Sequence, residues 1–271
     1  MILGRRFFSR RERAGLRTLG LILIGIGVGF VASGELRAQT PDESARFQEA
    51  NEAYRNKRFE EAIKIYTELA RAYPGQAAFQ YNLGNAYYRK NALGEAIVSY
   101  ERALVADPRH RDARENLRYV RSLLSYRVDD KRNWYLRMAE VLLGYVTSRE
   151  VMLVTMAAFA VLMILWVFAL FFRQQFAWGW KRQIAGVFLL LALMLLVGKH
   201  FETHIFQKAV ILAKEAQVRY GPSETDQIAF RVGEGIRVYV VDEREGWSRI
   251  NLVSGESGWV SNSAIEKVRS L

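Results

Sequence analysis

Cysteine is absent from the 271 residues. That excludes disulfides, Cys-bound zinc, a thiol nucleophile and a lipidated N-terminal Cys. Histidine is scarce: His110, His200 and His204 are the only three, too few for ordinary acid–base or triad chemistry. Charge is missing from three long stretches, Thr18 to Gly34, Val151 to Phe172 and Gln183 to Gly198. A chain that is 51% hydrophobic, with its apolar residues gathered in such runs, is not a single water-soluble globule. The net charge of +11 does not mark a nucleic-acid binder: the excess sits beside the apolar runs, and residues 209–271 are slightly acidic.

Six arginines between Arg5 and Arg17 precede the first run, the pattern of a signal peptide or an uncleaved signal anchor over residues 1–38. The second run, 22 residues, reaches about 33 Å as a helix and predicts a transmembrane helix over 150–173. Thr147 and Glu150 stand at capping-box spacing at its start. The third run, 16 residues, reaches only about 24 Å and crosses over 182–201 with Arg182 and Lys199 snorkelling outward. Neither span has an ionisable residue in its interior, which argues against transport. Arg173, Lys181 and Arg182 lie between the spans without an acidic neighbour. The positive-inside rule therefore puts that loop in the cytoplasm, with residues 39–150 and 199–271 on the far side. Trp134 to Val146, rich in aromatic and aliphatic residues, predicts a juxtamembrane helix lying in the bilayer interface. His200 and His204 are four apart, but Phe201 stands where a zinc protease needs Glu, and a third ligand is not evident, so no metal is expected.

Residues 43–76 and 77–110 align at an offset of 34, with identities that include Asn51/Asn85, Tyr54/Tyr88, Ala62/Ala96, Tyr66/Tyr100 and Pro74/Pro108. Ala50 and Gly84 are small where two helices of a unit cross, and Pro74 and Pro108 end the second helix. With Tyr81-Asn82-Leu83-Gly84-Asn85-Ala86-Tyr87-Tyr88, the pattern resembles the tetratricopeptide repeat. A capping helix from about Asp112 to Tyr126 completes a solenoid over 43–127. Two repeats fall short of the roughly three such arrays need, so this one is expected to lean on a partner, on itself or on the membrane-proximal segment. The resemblance implies a peptide groove built from Phe47, Asn51, Tyr54, Asn82, Asn85, Tyr88 and Asn116. The same Tyr and Asn side chains serve equally to fill and tie the repeat. Phe47 and Asp112 stand where the family's carboxylate-gripping version has basic residues, so a clamp of that type is not expected.

From Ala209 the pattern becomes alternating, with strands over Ile236–Val241 and Trp247–Val253 and turns at Gly233–Gly235, Glu245–Gly246 and Ser254–Gly255. About five short strands predict a small all-β barrel over 209–271. Gln217-Val-Arg-Tyr-Gly-Pro-Ser223, Gly246-Trp247 and Gly258-Trp259-Val260 resemble the bacterial SH3 (SH3b) domain. That likeness implies an aromatic ligand groove of Tyr220, Trp247 and Trp259, with core and turn packing as the plainer role for both Trp residues.

The expected fold is thus a multidomain membrane protein: an α-helical solenoid, a transmembrane helix hairpin and a small SH3-like barrel. The order of these parts resembles the BatE-type proteins of bacterial aerotolerance (Bat) operons. That resemblance implies a non-enzymatic scaffold without cofactors in the bacterial inner membrane, its two folded parts on the periplasmic side. The implied partners are von Willebrand A-domain membrane proteins and other Bat components; the alternative is an envelope sensor binding cell-wall peptide through the barrel. A wall-cleaving enzyme lacks a nucleophilic Cys and a metal-ligand cluster here. The topology has a direct test. With Gln174→Cys as the sole thiol, an impermeant maleimide is expected to label opened but not intact cells, and labelling of intact cells would reverse the assignment.

Overall fold

The computed structural model describes residues 41–171, 179–204 and 207–268; the signal segment expected over 1–38 lies outside them. Gln39–Met152 together with Leu190–Leu271 form one compact unit, and Leu153–Leu189 belong to a second.

Helices α1 (Pro41–Arg55), α2 (Phe59–Ala72), α3 (Ala77–Arg89) and α4 (Leu93–Ala106) are the two expected pairs. α2 and α4 stop just before Pro74 and Pro108, which cannot continue a helix. The 34-residue period recurs in space. Tyr66 donates its hydroxyl to Asn51 Oδ1 at 2.7 Å, and Tyr100 donates to Asn85 Oδ1 at 2.8 Å. Lys57 and Asn91, one period apart, both turn through positive φ (62° and 60°) to reverse the chain inside each pair. A Cβ on Gly84 would stand 2.7 Å from the Tyr100 ring, so the crossing admits no side chain there. α5 (Arg111–Ser122) ends four residues sooner than the expected Tyr126. His110 is its N-cap, with Nδ1 accepting from the Ala113 amide at 3.2 Å.

After α6 (Trp134–Gly144), α7 (Ser148–Phe171) and α8 (Gly179–His204) come seven strands rather than about five: β1 (Gln207–Ile211), β2 (Glu215–Arg219), β3 (Ile228–Gly233), β4 (Arg237–Arg244), β5 (Trp247–Asn251), β6 (Ser257–Ser261) and β7 (Ile265–Lys267). β7 is too short to show an alternation, and β1 begins two residues before 209 because Gln207 and Lys208 pair with Val240 and Tyr239. The sheet is antiparallel in the order β3-β2-β6-β5-β4-β1-β7. Ile211, Val218, Val232, Val238, Ile250, Val260 and Ile265, one from each strand, meet in a single buried cluster. Seven strands can share one core only if the sheet curls around it. The expected two-residue turn at Glu245–Gly246 is present, both residues at positive φ.

The sheet packs on the repeats. Val210 and Val268 enter the cluster built by Ile97, Val98, Tyr100, Leu117 and Val120. Glu234 accepts from the Gly94 amide at 2.7 Å, and Arg102 donates to the carbonyls of Lys267 and Val268. Of the supports expected for so short an array, the chain itself supplies this one. Glu140 of α6 ties in a third element, meeting Arg237 at 2.9 Å, Arg132 at 2.9 Å and Lys208 at 3.6 Å. Arg237 also lies 3.9 Å from Glu101, which pairs with Arg121.

α7 begins with the expected capping box: Glu150 Oε2 accepts from the Thr147 amide at 2.8 Å, and Thr147 Oγ1 accepts from the Glu150 amide at 3.1 Å. Among the described residues no single helix is long and apolar enough to cross a membrane; Trp134–Gly144 and Ser148–Ile164 pass only as a pair, bent by 87°. Along α7 and α8, Val154, Phe159, Phe188 and Met194 are exposed.

Gly235 sits at the repeat–sheet contact with φ +80°, and a Cβ there would lie 2.6 Å from Leu124 and 2.9 Å from Ile97. Both strain and overlap oppose a side chain. Gly235→Ala is expected to destabilise the protein by about 2–4 kcal/mol, read as a fall in the thermal midpoint of the full chain. An unchanged midpoint would show that this contact does not hold the two parts together.

Candidate functional site on the repeats and the sheet

The seven expected groove residues all lie on the first helices of the repeats and on the capping helix, where contacts link Tyr54, Asn85, Tyr88 and Asn116 across neighbouring helices. Asn85 Oδ1 accepts from Asn116 Nδ2 at 3.0 Å as well as from Tyr100. Tyr88 meets Tyr119 edge-on at 6.0 Å, and the Arg89 guanidinium lies 5.9 Å from the Tyr54 ring. α1, α3 and α5 are thereby stitched side by side. Asn82 turns its amide back to the Ala78 carbonyl at 3.0 Å. Phe47 packs its ring 5.2 Å from Phe79 and 6.1 Å from Tyr66, against the repeat core that Tyr54 also borders.

Asn51 and Asn85 therefore tie the repeat through their carbonyls, while their amide nitrogens keep the capacity to donate to a peptide carbonyl. Burial pushes the Tyr66 phenol up to about 12 and Tyr100 in the same direction, so both remain neutral donors over the physiological range. Tyr119 and Arg89 were not among the expected residues. Tyr119 is 54% exposed, and its place one turn after Asn116 was the available signal.

The sheet aromatics do not form one groove. Tyr220 is 72% exposed, Trp247 is half-buried, and Trp259 is only 7% exposed beneath the Arg244 guanidinium, 5.3 Å from its ring. Trp259 alternates with Val260, which belongs to the core, so it lies on the outer face of the sheet. It is covered there by an arginine rather than packed inside. Trp247 pairs with Ser261 and Arg249 with Trp259, which makes the two Trp residues diagonal neighbours on that face.

Residues 47–111 match the family described as tetratricopeptide repeat, and residues 213–267 match the bacterial SH3 domain. The chain carries both kinds of domain. No curated protein matches the chain. Both domain types serve protein interaction or cell-wall binding, and in this chain the SH3 domain is seated on the outer helix of the second tetratricopeptide repeat. Among the described residues no group of His, Asp and Glu is arranged to hold a metal ion; the side chains of His200 and His204 lie outside them.

The carboxylates at the joint set a pH dependence. Burial pushes Glu101 up, but the positive charges of Arg121, Arg237 and Lys208 outweigh it and hold the group below its usual 4.5. Glu140 is likewise raised by burial and brought lower by Arg237, Lys208 and Arg132. The hydrogen bond from Arg132 holds Asp130 down to about 2. With each folded value depressed, the unfolded chain takes up protons first as pH falls. The stabilisation is complete above about pH 5 and is lost between about 4.5 and about 2. The thermal midpoint is expected to hold level from pH 7 to 5 and drop below 4.5; a midpoint that rises on acidification would contradict this.

Proposed function

We propose that this protein is a non-enzymatic, membrane-anchored scaffold of the bacterial envelope that holds an extended segment of a partner protein along the first-helix face of its tetratricopeptide repeats. The observation that carries this reading is the asymmetry of the array. The SH3 domain covers α4, the second helix of the second repeat, through Gly94, Ile97 and Arg102, while on the first-helix face Tyr119 is exposed and Tyr54, Tyr88 and Asn116 are half-buried beside it. Flat aromatics and amide side chains suit a peptide backbone, since they give contact area and paired donors and acceptors at low entropic cost.

Anchoring is supported by the exposed apolar residues of α7 and α8 and by a constraint of connectivity. The repeats and the SH3 domain pack together, so both lie on one side of any bilayer that the intervening chain enters, and that chain must cross it an even number of times. A hairpin over 150–173 and 182–201 meets this condition. Its basic loop puts the paired domains on the periplasmic side of the inner membrane. The likeness in order of parts to BatE-type proteins makes von Willebrand A-domain membrane proteins of a Bat aerotolerance complex the leading partners.

A second reading, a cell-wall sensor, draws on Tyr220, which stands free of the sheet's core on the bacterial SH3 domain. Photocrosslinking in living cells separates the two. A probe replacing Tyr88 or Tyr119 is expected to trap membrane proteins. Reaction only from position 220, with wall fragments as the adducts, would give the sensor reading precedence.

A further inference from the structure

Every described residue of α6 is exposed or half-buried, although eight of its eleven side chains are apolar or aromatic. Trp134, Tyr135, Met138, Val141 and Leu142 fall on one stripe and all are exposed, Trp134 at 67%. The helix has a single carboxylate, and it is withdrawn from that stripe: Glu140 is turned to Arg237, Arg132 and Lys208. What α6 shows outward is therefore apolar surface with exposed Arg137 and no negative charge.

A second feature faces the same region. Arg111, Arg114, Arg118 and Arg121 recur at spacings of three and four along α5, the period of one helix face. Arg114, Arg118 and Arg121 line a cleft of about 1580 Å³ together with Arg137, Met152 and Leu196. Its α5 wall is basic, the carboxylates Glu101, Asp130 and Glu140 that also line it are each paired with an arginine, and Met152 and Leu196 add apolar surface where α7 begins and α8 ends. Arg114 also lies over the Tyr145 ring at 4.2 Å, which holds the end of α6 against this stripe. Lys199 of α8 donates to the Leu143 carbonyl at 2.9 Å, a cation at the C-terminus of α6 where the helix dipole favours one.

We infer that α6 and the α5 arginines form a docking surface for an anionic lipid bilayer. Trp134, Met138, Val141 and Leu142 sink to the headgroup–acyl boundary, and Arg114, Arg118 and Arg137 meet lipid phosphates. The inference rests on the reading that α7 and α8 cross that bilayer. An apolar stripe with a basic border is stabilised in the plane of a membrane. Lipid rather than a protein partner is favoured because α6 leads into the apolar α7 after only three residues, Tyr145 to Thr147. Anionic lipid is favoured because the outward charges on α6 and lining the cleft from α5 are all positive and phosphate complements them.

The test uses the full chain, whose lack of native cysteine permits one label per protein. Met138→Cys and Glu224→Cys, each carrying an environment-sensitive fluorophore, are reconstituted into phosphatidylcholine vesicles with and without phosphatidylglycerol. Shallow spin-labelled lipid is expected to quench position 138, and aqueous iodide to quench position 224. Spin-labelled phosphatidylglycerol should outcompete spin-labelled phosphatidylcholine at position 138 by at least about fivefold, a preference that Arg118→Gln with Arg137→Gln abolishes. Release of the protein from membranes by alkaline carbonate would overturn the crossing of α7 and α8. A protein that resists carbonate while iodide quenches position 138 would overturn the docking of α6 alone. Equal quenching by the two spin-labelled lipids would overturn its preference for anionic headgroups.

Discussion

The seating of β1 and β7 on α4 is the contact that the rest of the architecture depends on. Two helical repeats leave an apolar flank that a longer array would cover with its next unit. Here Val210 and Val268 fill that place, and such side chains contribute roughly 1.5–3 kcal/mol each when fully buried. Arg237 lies between Glu101 and Glu140, so the same joint reaches the capping helix and α6. Removing one partner from such a buried set leaves a charge without compensation, which is far more harmful than never having had the pair.

A sheet used in this way has its roles divided. Its core-facing residues hold the barrel, and its first and last strands complete the helices. The outer face of β5 and β6 and the segment around Tyr220 lie away from that contact. The second repeat is similarly divided: its second helix, α4, carries the sheet, while Tyr88 and Arg89 of its first helix meet the capping helix and the neighbouring first helix. The repeats and the SH3 domain thus form one compact unit rather than two modules on a loose tether.

Much of this was legible in the residues, and the parts that were not share a cause. The 34-residue identities located both helix pairs, the Asn–Tyr bonds are the identities themselves, and Thr147 with Glu150 announced the start of α7. Local pattern determines all of these. The repeat–sheet joint has no local pattern: Gly94 meets Glu234, and Arg102 meets Val268, across 140 and 166 positions. Nor does alternation reveal that Trp259 lies under an arginine, that Phe47 turns to the core, or that Glu140 faces inward on a largely apolar helix. In each case the deciding neighbour comes from a distant segment.

The same separations bear on how the protein is made. Arg102 emerges from the ribosome long before Val268, and at roughly 5–20 residues per second the outer flank of the second repeat waits on the order of ten seconds for its cover. During that interval Ile97 and its neighbours are exposed, and the chain between them and their cover is itself apolar. The strand that closes the repeats is therefore made long after their helices. The helical repeats gain their cover only when β7 arrives, which makes that strand a checkpoint for helices made long before it.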